Sequence, residues 1–387
     1  MTSKMVVSRV LSVGLAVGCE STVARNVQAQ DFKLSPSFTT SQAYDSNLFF
    51  APINRQADMI TRVTPSVEAD YRTPLVSLIA GYAFDVERFA SHHELTSAHA
   101  GRRARLTLDY RPTPRMILTA DARLSTTQNP GELNVQNGLA LGRARAQQVT
   151  AHSAMVRQLT EVTRGTIDYR FTNERISGGF DVEVHEARIG GDHRLTSRDI
   201  VTAEYGLRVF RFTSATAPTS ETSHTLTVGL NRAITERATV SMSGGPRVTN
   251  GSPAPELSAA LRYRLADGDL SIAYTRTETT MIGFAGIAAT QSIAGTTRWL
   301  LNRFTQVTIA PAFYRSALGG RRADVYRTTV DVVRVVSSNL SIAATLDGNL
   351  QLDNLYLALA HTRIPRHNVM IRLTAGPAKL IGLIHAR

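Results

Sequence analysis

The chain has 387 residues, a net charge of +12, 43% apolar residues and one cysteine. No stretch beyond its first thirty or so residues approaches the roughly 18 uninterrupted apolar residues of a membrane-spanning helix, which excludes that class. The positive charge is almost all arginine, with Lys4, Lys33 and Lys379 the only lysines; it is spread along the chain and often sits next-but-one to an acid, which argues against a nucleic-acid partner.

The chain begins like an export signal. Lys4 and Arg9 precede an apolar stretch over 10–17, and Val27-Gln28-Ala29 supplies the small residues of a cleavage site. The expected organisation is a signal peptide over 1–29, cleaved after Ala29, a barrel over 30–375 and a tail over 376–387. Cys19 then leaves with the signal. The alternative is that Ala16-Val17-Gly18-Cys19, loosely like a lipoprotein signal, keeps an acylated cysteine.

From about residue 33 to 374 the chain alternates polar and apolar side chains. In the first clear run, Val76, Leu78, Ala80, Tyr82, Phe84 and Val86 fall on one face, and Ser77, Gly81, Asp85 and Glu87 on the other. Alternating runs of about 9–14 residues suit tilted strands crossing a bilayer better than the shorter strands of soluble sheets. Short turn signals fall at 72–74, 112–114, 159–163, 197–199, 235–237, 266–269, 301–303 and 337–339. Longer polar segments fall between them, at 44–57, 91–100, 129–146, 177–180, 213–221, 250–255, 281–286, 317–323 and 353–367. Short turns alternating with longer loops match the two rims of an outer-membrane barrel. The expected fold is therefore all-β: a transmembrane antiparallel up-and-down β-barrel of 16–18 strands. Sixteen stays open because the fourteenth run, 287–298, is weakly patterned and the last two are short of signals. A β-sandwich fits the strand lengths less well, and Trp299, the only tryptophan, leaves no Trp-based propeller repeat.

The polar phase identifies the expected lumen-facing residues. They are Asp85, Glu87, Arg105 and Asp109, then Asp121, Arg123, Asp168 and Arg170, then Glu204, Arg208, Arg262, Arg264, Arg327 and Asp331. An arginine on the lipid side near the midplane costs about 2–4 kcal/mol, so the phase relation of arginine with Thr, Ser and Asp specifies register tightly. Two readings of these arginines stay open: a ladder of ion pairs bracing the wall, or a positive lumen that favours anionic or sugar-like solutes. The loop over 129–146, with Arg143 and Arg145, is expected to fold inward as a charged constriction. Outward-phase aromatic residues such as Tyr82, Tyr110, Tyr169, Tyr205 and Tyr326 suit an interfacial belt or mid-bilayer packing.

No catalytic constellation is legible. His92-His93 and His185 lack a partner at metal-ligand spacing, there is no Gly-x-Ser-x-Gly elbow, and nothing in the spacing joins His224 to Ser241. An enzyme and a cofactor are not expected.

Tyr44-Asp45-Ser46-Asn47-Leu48-Phe49, followed by Ala57-Asp58-Met59-Ile60-Thr61-Arg62-Val63-Thr64-Pro65, resembles the β-barrel porins of Gram-negative outer membranes often found beside exopolysaccharide-export genes. Arg72-Thr73-Pro74, Arg111-Pro112-Thr113-Pro114-Arg115 and the 82–89 and 368–377 stretches also look like that family. The resemblance implies a barrel in the outer membrane with a porin-like or polysaccharide-associated role and no catalytic residues. The partners expected with it are outer-membrane lipid, the barrel assembly machinery and exopolysaccharide export proteins. One departure is the absence of a terminal aromatic residue, which such barrels commonly carry on the last strand.

Overall fold

A computed structural model describes residues 31–213, 218–353, 355 and 362–377. The expected signal segment with Cys19 and Ala29, and residues 378–387 of the expected tail, lie outside the described residues.

The first six strands are β1 (Asp31–Asp45), β2 (Asp58–Arg72), β3 (Val76–Phe89), β4 (Ser97–Thr113), β5 (Met116–Thr127) and β6 (Ala146–Gln158). They continue with β7 (Thr163–Ile176), β8 (Asp181–Arg194), β9 (Asp199–Thr213), β10 (Pro218–Ala233), β11 (Ala238–Thr249) and β12 (Ser252–Leu265). The last six are β13 (Gly268–Thr279), β14 (Ala288–Asn302), β15 (Thr305–Leu318), β16 (Arg321–Ser337), β17 (Leu340–Leu352) and β18 (Arg363–Ala375). Each pairs antiparallel with its sequence neighbours, and β1 pairs with β18 from Phe38↔Ala375 to Asp45↔Asn368, closing one 18-stranded sheet. Closure removes the sheet edges that lipid cannot satisfy.

The count lies at the top of the expected range. The weakly patterned run is a full strand, β14, in which Ile293, Trp299 and Leu301 keep the outward phase around a small-residue centre. The last strand starts earlier than the 368–374 run suggests. Pro365 hides its beginning, and that proline is tolerated because the ladder to β1 stops at Asn368.

The two faces follow the period of two. Phe32, Leu34, Phe38, Tyr82, Leu106, Ile167, Ile189, Leu226, Ile272, Ile342 and Ile371 are exposed on the outside, where a soluble protein would bury them. A one-residue slip would exchange that band for the charged inner phase. An apolar exterior on a closed antiparallel sheet makes the chain an outer-membrane β-barrel.

What is buried and apolar lies at the mouth with the longer loops. Leu139 from the β5–β6 loop and Met281 from the β13–β14 loop pack with Ala288, Ala323, Val325 and Leu355. Leu133 and Ile282 pack with Ala146, and Leu48, Ile60 and Phe89 form a third group below the β1–β2 loop.

Candidate functional site

The β5–β6 loop, 128–145, leaves the wall and crosses the lumen. It opens with a short 3-10 turn, Pro130–Glu132. It then hardens through its own amides: Asn134 Nδ2 donates to the Leu139 carbonyl (3.0 Å), and Leu139 N–H donates to Asn137 Oδ1 (3.0 Å). Between them Gly138 takes φ +65°, and a Cβ there would stand 2.6 Å from the Tyr314 ring on β15. Strand order places β15 on the far side of the barrel from β5 and β6, so the loop tip reaches the opposite wall.

The tip is held there by polar and apolar contacts together. Ala140 N–H donates to the buried Gln351 Oε1 on β17 (2.9 Å), and Asn137 Nδ2 donates to the Thr280 carbonyl (3.0 Å). Ile282 N–H donates to Asn134 Oδ1 (3.3 Å), tying the crossing loop to the β13–β14 loop. At the near wall the attachment is ionic. Glu87 on β3 accepts from Arg62 Nε (2.8 Å) and approaches Arg143 of the loop (3.5 Å). The Arg143 guanidinium lies 4.8 Å from the Phe89 ring centroid. Burial pushes the Arg143 pKa down, and the Glu87 carboxylate opposes that shift and favours the charged form.

The crossing divides the lumen into two chambers. The larger, about 1030 Å³, is walled by β5 through β15 and the 133–137 side of the loop. The smaller, about 210 Å³, lies between β1, β2 and β3 on one side and β16, β17 and β18 on the other.

The larger chamber is lined by hydroxyls such as Thr150, Thr172, Thr225, Thr227, Ser243, Ser258 and Thr275. Its charges form a chain across five strands. Glu186 accepts from Arg188 (2.6 Å) and Arg208 (2.7 Å); Arg208 reaches Glu256 (2.8 Å); Arg247 joins Glu256 (2.7 Å) to Glu278 (3.1 Å). On the loop side, the buried Glu174 accepts from Gln148 (2.8 Å) and Thr280 (3.1 Å). The lining holds six acids (Asp121, Glu174, Glu186, Glu204, Glu256, Glu278) against four arginines (Arg123, Arg170, Arg188, Arg208).

The smaller chamber reverses that ratio, with Arg62, Arg143, Arg327 and Arg366 against Glu87, Glu132 and Asp347. Its arginines are braced from behind. Arg366 pairs with the buried Asp45 (2.5 Å) and lies 4.3 Å from the Phe50 ring centroid, and Arg327 pairs with Asp347 (2.8 Å).

The sequence-predicted residues divide between these places. Asp121, Arg123, Arg170, Glu204 and Arg208 line the larger chamber, and Glu87 and Arg327 the smaller. Asp85 accepts from Arg103 (2.6 Å) and Thr64 (2.6 Å), Arg105 pairs with Glu68, and Asp331 pairs with Arg372 (3.1 Å). Asp168 meets His152 instead of an arginine. Asp109, Arg262 and Arg264 line neither chamber and enter no described ion pair. Of the loop arginines, Arg143 lines the smaller chamber, whereas Arg145 is exposed at the foot of β6, out of phase with the lumen.

An expected arginine surplus inside the barrel is not what lines the larger chamber. Part of the surplus is outward: Arg88, Arg175, Arg211 and Arg363 are exposed near the long-loop ends of their strands, in the phase of the apolar band. Periodicity missed Glu174, Glu256, Glu278 and Arg247. Arg247 follows Gly244-Gly245-Pro246, and Glu256 follows Pro253 and Pro255, where alternation is broken. His224 shares the outward face of Leu226 and bonds the Tyr205 hydroxyl (2.8 Å), while Ser241 takes the inward phase of Ser243, so the two lie on opposite faces. Among the described residues no three His, Cys, Asp or Glu side chains are grouped to hold a metal.

No family model and no curated protein matches the chain. Among solved structures it is similar to OpdO from Pseudomonas aeruginosa, at 10% identity and TM-score 0.49 over 91% of this chain and 98% of that one. It is also similar to OccAB4 from Acinetobacter baumannii, at 10% identity and TM-score 0.44 over 90% and 100% of the two chains. For the Pseudomonas aeruginosa siderophore receptor PirA the figures are 10%, 0.45, and 89% and 81%. These are likenesses of general form; the barrel assignment rests on the ladders and faces above.

Proposed function

We propose that the barrel is a porin-like channel for small hydrophilic solutes, saccharides or anions, and that it acts without catalysis. The observation that carries this reading is the crossing of the 128–145 loop, which narrows an 18-stranded lumen to chambers of about 1030 and 210 Å³. Barrels of about 16–18 strands leave an aqueous interior unless something fills it, and here one ordered loop sets the remaining width. The wall of the larger chamber, hydroxyls beside paired guanidinium and carboxylate groups, offers donors and acceptors together and suits a saccharide. Anion preference, in this reading, arises at the smaller chamber, where arginines outnumber acids.

A second reading is favoured by the apolar group at the mouth, Leu139 and Met281 against Val325 and Leu355. It is a barrel with a blocked lumen, serving as the outer-membrane component of an exopolysaccharide secretion assembly. Single-channel conductance of the refolded protein in a planar bilayer, with reversal potential across a salt gradient, separates the two. Stable steps support the channel. Silence from protein that circular dichroism shows to be folded supports the secretion component.

A further inference from the structure

The outer face carries an uneven distribution of charge near the long-loop rim. Following the ladders from β13 to β18, one outward row reads Arg276, Gln291, Arg315, Asp324, Leu352 and Arg363. The next outward row toward the membrane centre reads Tyr274, Ile293, Phe313, Tyr326, Leu350 and Pro365. A polar, basic row directly above an aromatic and aliphatic one is the sequence of environments at a bilayer surface, headgroups over acyl chains.

Within the basic row the only acid is Asp324, which is shared by Arg315 (3.0 Å) and by Arg322 (2.6 Å) beside it. Arg276 and Arg363 enter no ion pair among the described residues. Within the row three guanidinium groups, those of Arg276, Arg315 and Arg363, thus stand against one carboxylate, which Arg322 of the next row shares. The β7–β9 face is different: Arg175 pairs with Asp181 (3.3 Å), and Arg211 stands opposite Glu183 in the ladder. That face is balanced; the β13–β18 face is not. Neighbouring strands lie about 4.8 Å apart, so Arg276 and Arg315 are separated by about 10 Å, and Arg315 and Arg363 by about 14 Å. Such a row can engage two phosphates of one headgroup by forked hydrogen bonds.

We infer that the outward face of β13–β18 binds a phosphorylated glycolipid headgroup of the outer leaflet through Arg276, Arg315 and Arg363. This goes beyond the channel reading and stands whether the lumen is open or closed. Charge complementarity selects the occupant, because the row is cationic at the depth where lipid phosphates lie and is underlain by side chains suited to acyl chains.

The test is native mass spectrometry of the detergent-purified barrel with diphosphoryl lipid A. The matched probes are the same lipid without phosphates, and inorganic phosphate. Binding of one diphosphoryl lipid that falls about 100-fold in R276Q/R315Q/R363Q, while R175Q/R211Q binds as the parent does, is the expected result. Equal retention of the phosphate-free lipid would overturn the proposal, as would undiminished binding by the triple variant. Full displacement by millimolar inorganic phosphate would do the same, showing a free-anion site. Should the triple variant fail to fold, R276Q alone is read: a clear loss of binding, restored by R276K, supports the proposal, and no loss overturns it.

Discussion

The two chambers are cut from one lumen by one loop, yet they are built on different physics. The larger is walled by a relay of charges across β8, β9, β11, β12 and β13, in which each arginine bridges two acids. The smaller is held tight by arginines stacked on aromatic rings, Arg143 on Phe89 and Arg366 on Phe50, with their carboxylates buried behind them. The difference teaches that the division of the lumen follows from where the loop is anchored and less from strand number. An ionic root at β3 and an apolar, amide-bonded tip at β15 and β17 draw the crossing toward one side.

Deleting 133–141 and closing the gap with glycine removes the tip and merges the chambers. Single-channel conductance should then rise several-fold with no change in the β-sheet circular dichroism signal; unchanged conductance would mean the loop does not set the width. Glu87→Ala breaks the comparison at its root, because it removes the carboxylate that Arg62 and Arg143 share and leaves them the longer-range attraction of Glu132. A loss of about 1–3 kcal/mol is expected for leaving partly buried guanidinium groups without their hydrogen-bonding carboxylate, read as a lower urea midpoint of the refolded barrel. Gly138→Val loads the tip instead, since a side chain at φ +65° is strained and its Cβ meets Tyr314. About 1–3 kcal/mol of local strain should release the tip, seen as noisier, larger conductance with a near-parental midpoint.

Arg143→Gln sharpens the contrast in charge. It should move the reversal potential away from anions, whereas Arg145→Gln, exposed and outside both chambers, should leave it where it was; equal shifts from both would place the selectivity elsewhere. The smallest effect belongs to Arg123→Gln. That arginine is paired with Asp121 on its own strand with its side chain 69% exposed, and its loss should change stability by no more than about 0.5 kcal/mol in the same urea titration.

Much of this fold is legible in one dimension. The alternation over β3 and β4 predicts both the faces and the inward Asp85, Glu87 and Arg105, because a period of two is a local property of an extended chain. Turn lengths likewise predict which end bears the crossing loop. Less legible are the ends of strands. The same phase rule that keeps arginine out of the bilayer centre relaxes at the rim, so outward Arg276, Arg315 and Arg363 resemble errors in a strand-by-strand reading and make sense only when the ladders align them.

The sequence by itself determined the barrel and which face of most strands is apolar, since lipid outside and water inside penalise a one-residue slip wherever the alternation holds. Only the tertiary structure decided the two chambers. Glu87 and Arg143 are far apart in the chain, as are Gly138 and Tyr314, and Ala140 and Gln351. The inward fold of the loop brings Arg143 to Glu87 at the near wall and, once the sheet closes, Gly138 and Ala140 to the far wall; no local pattern encodes these contacts.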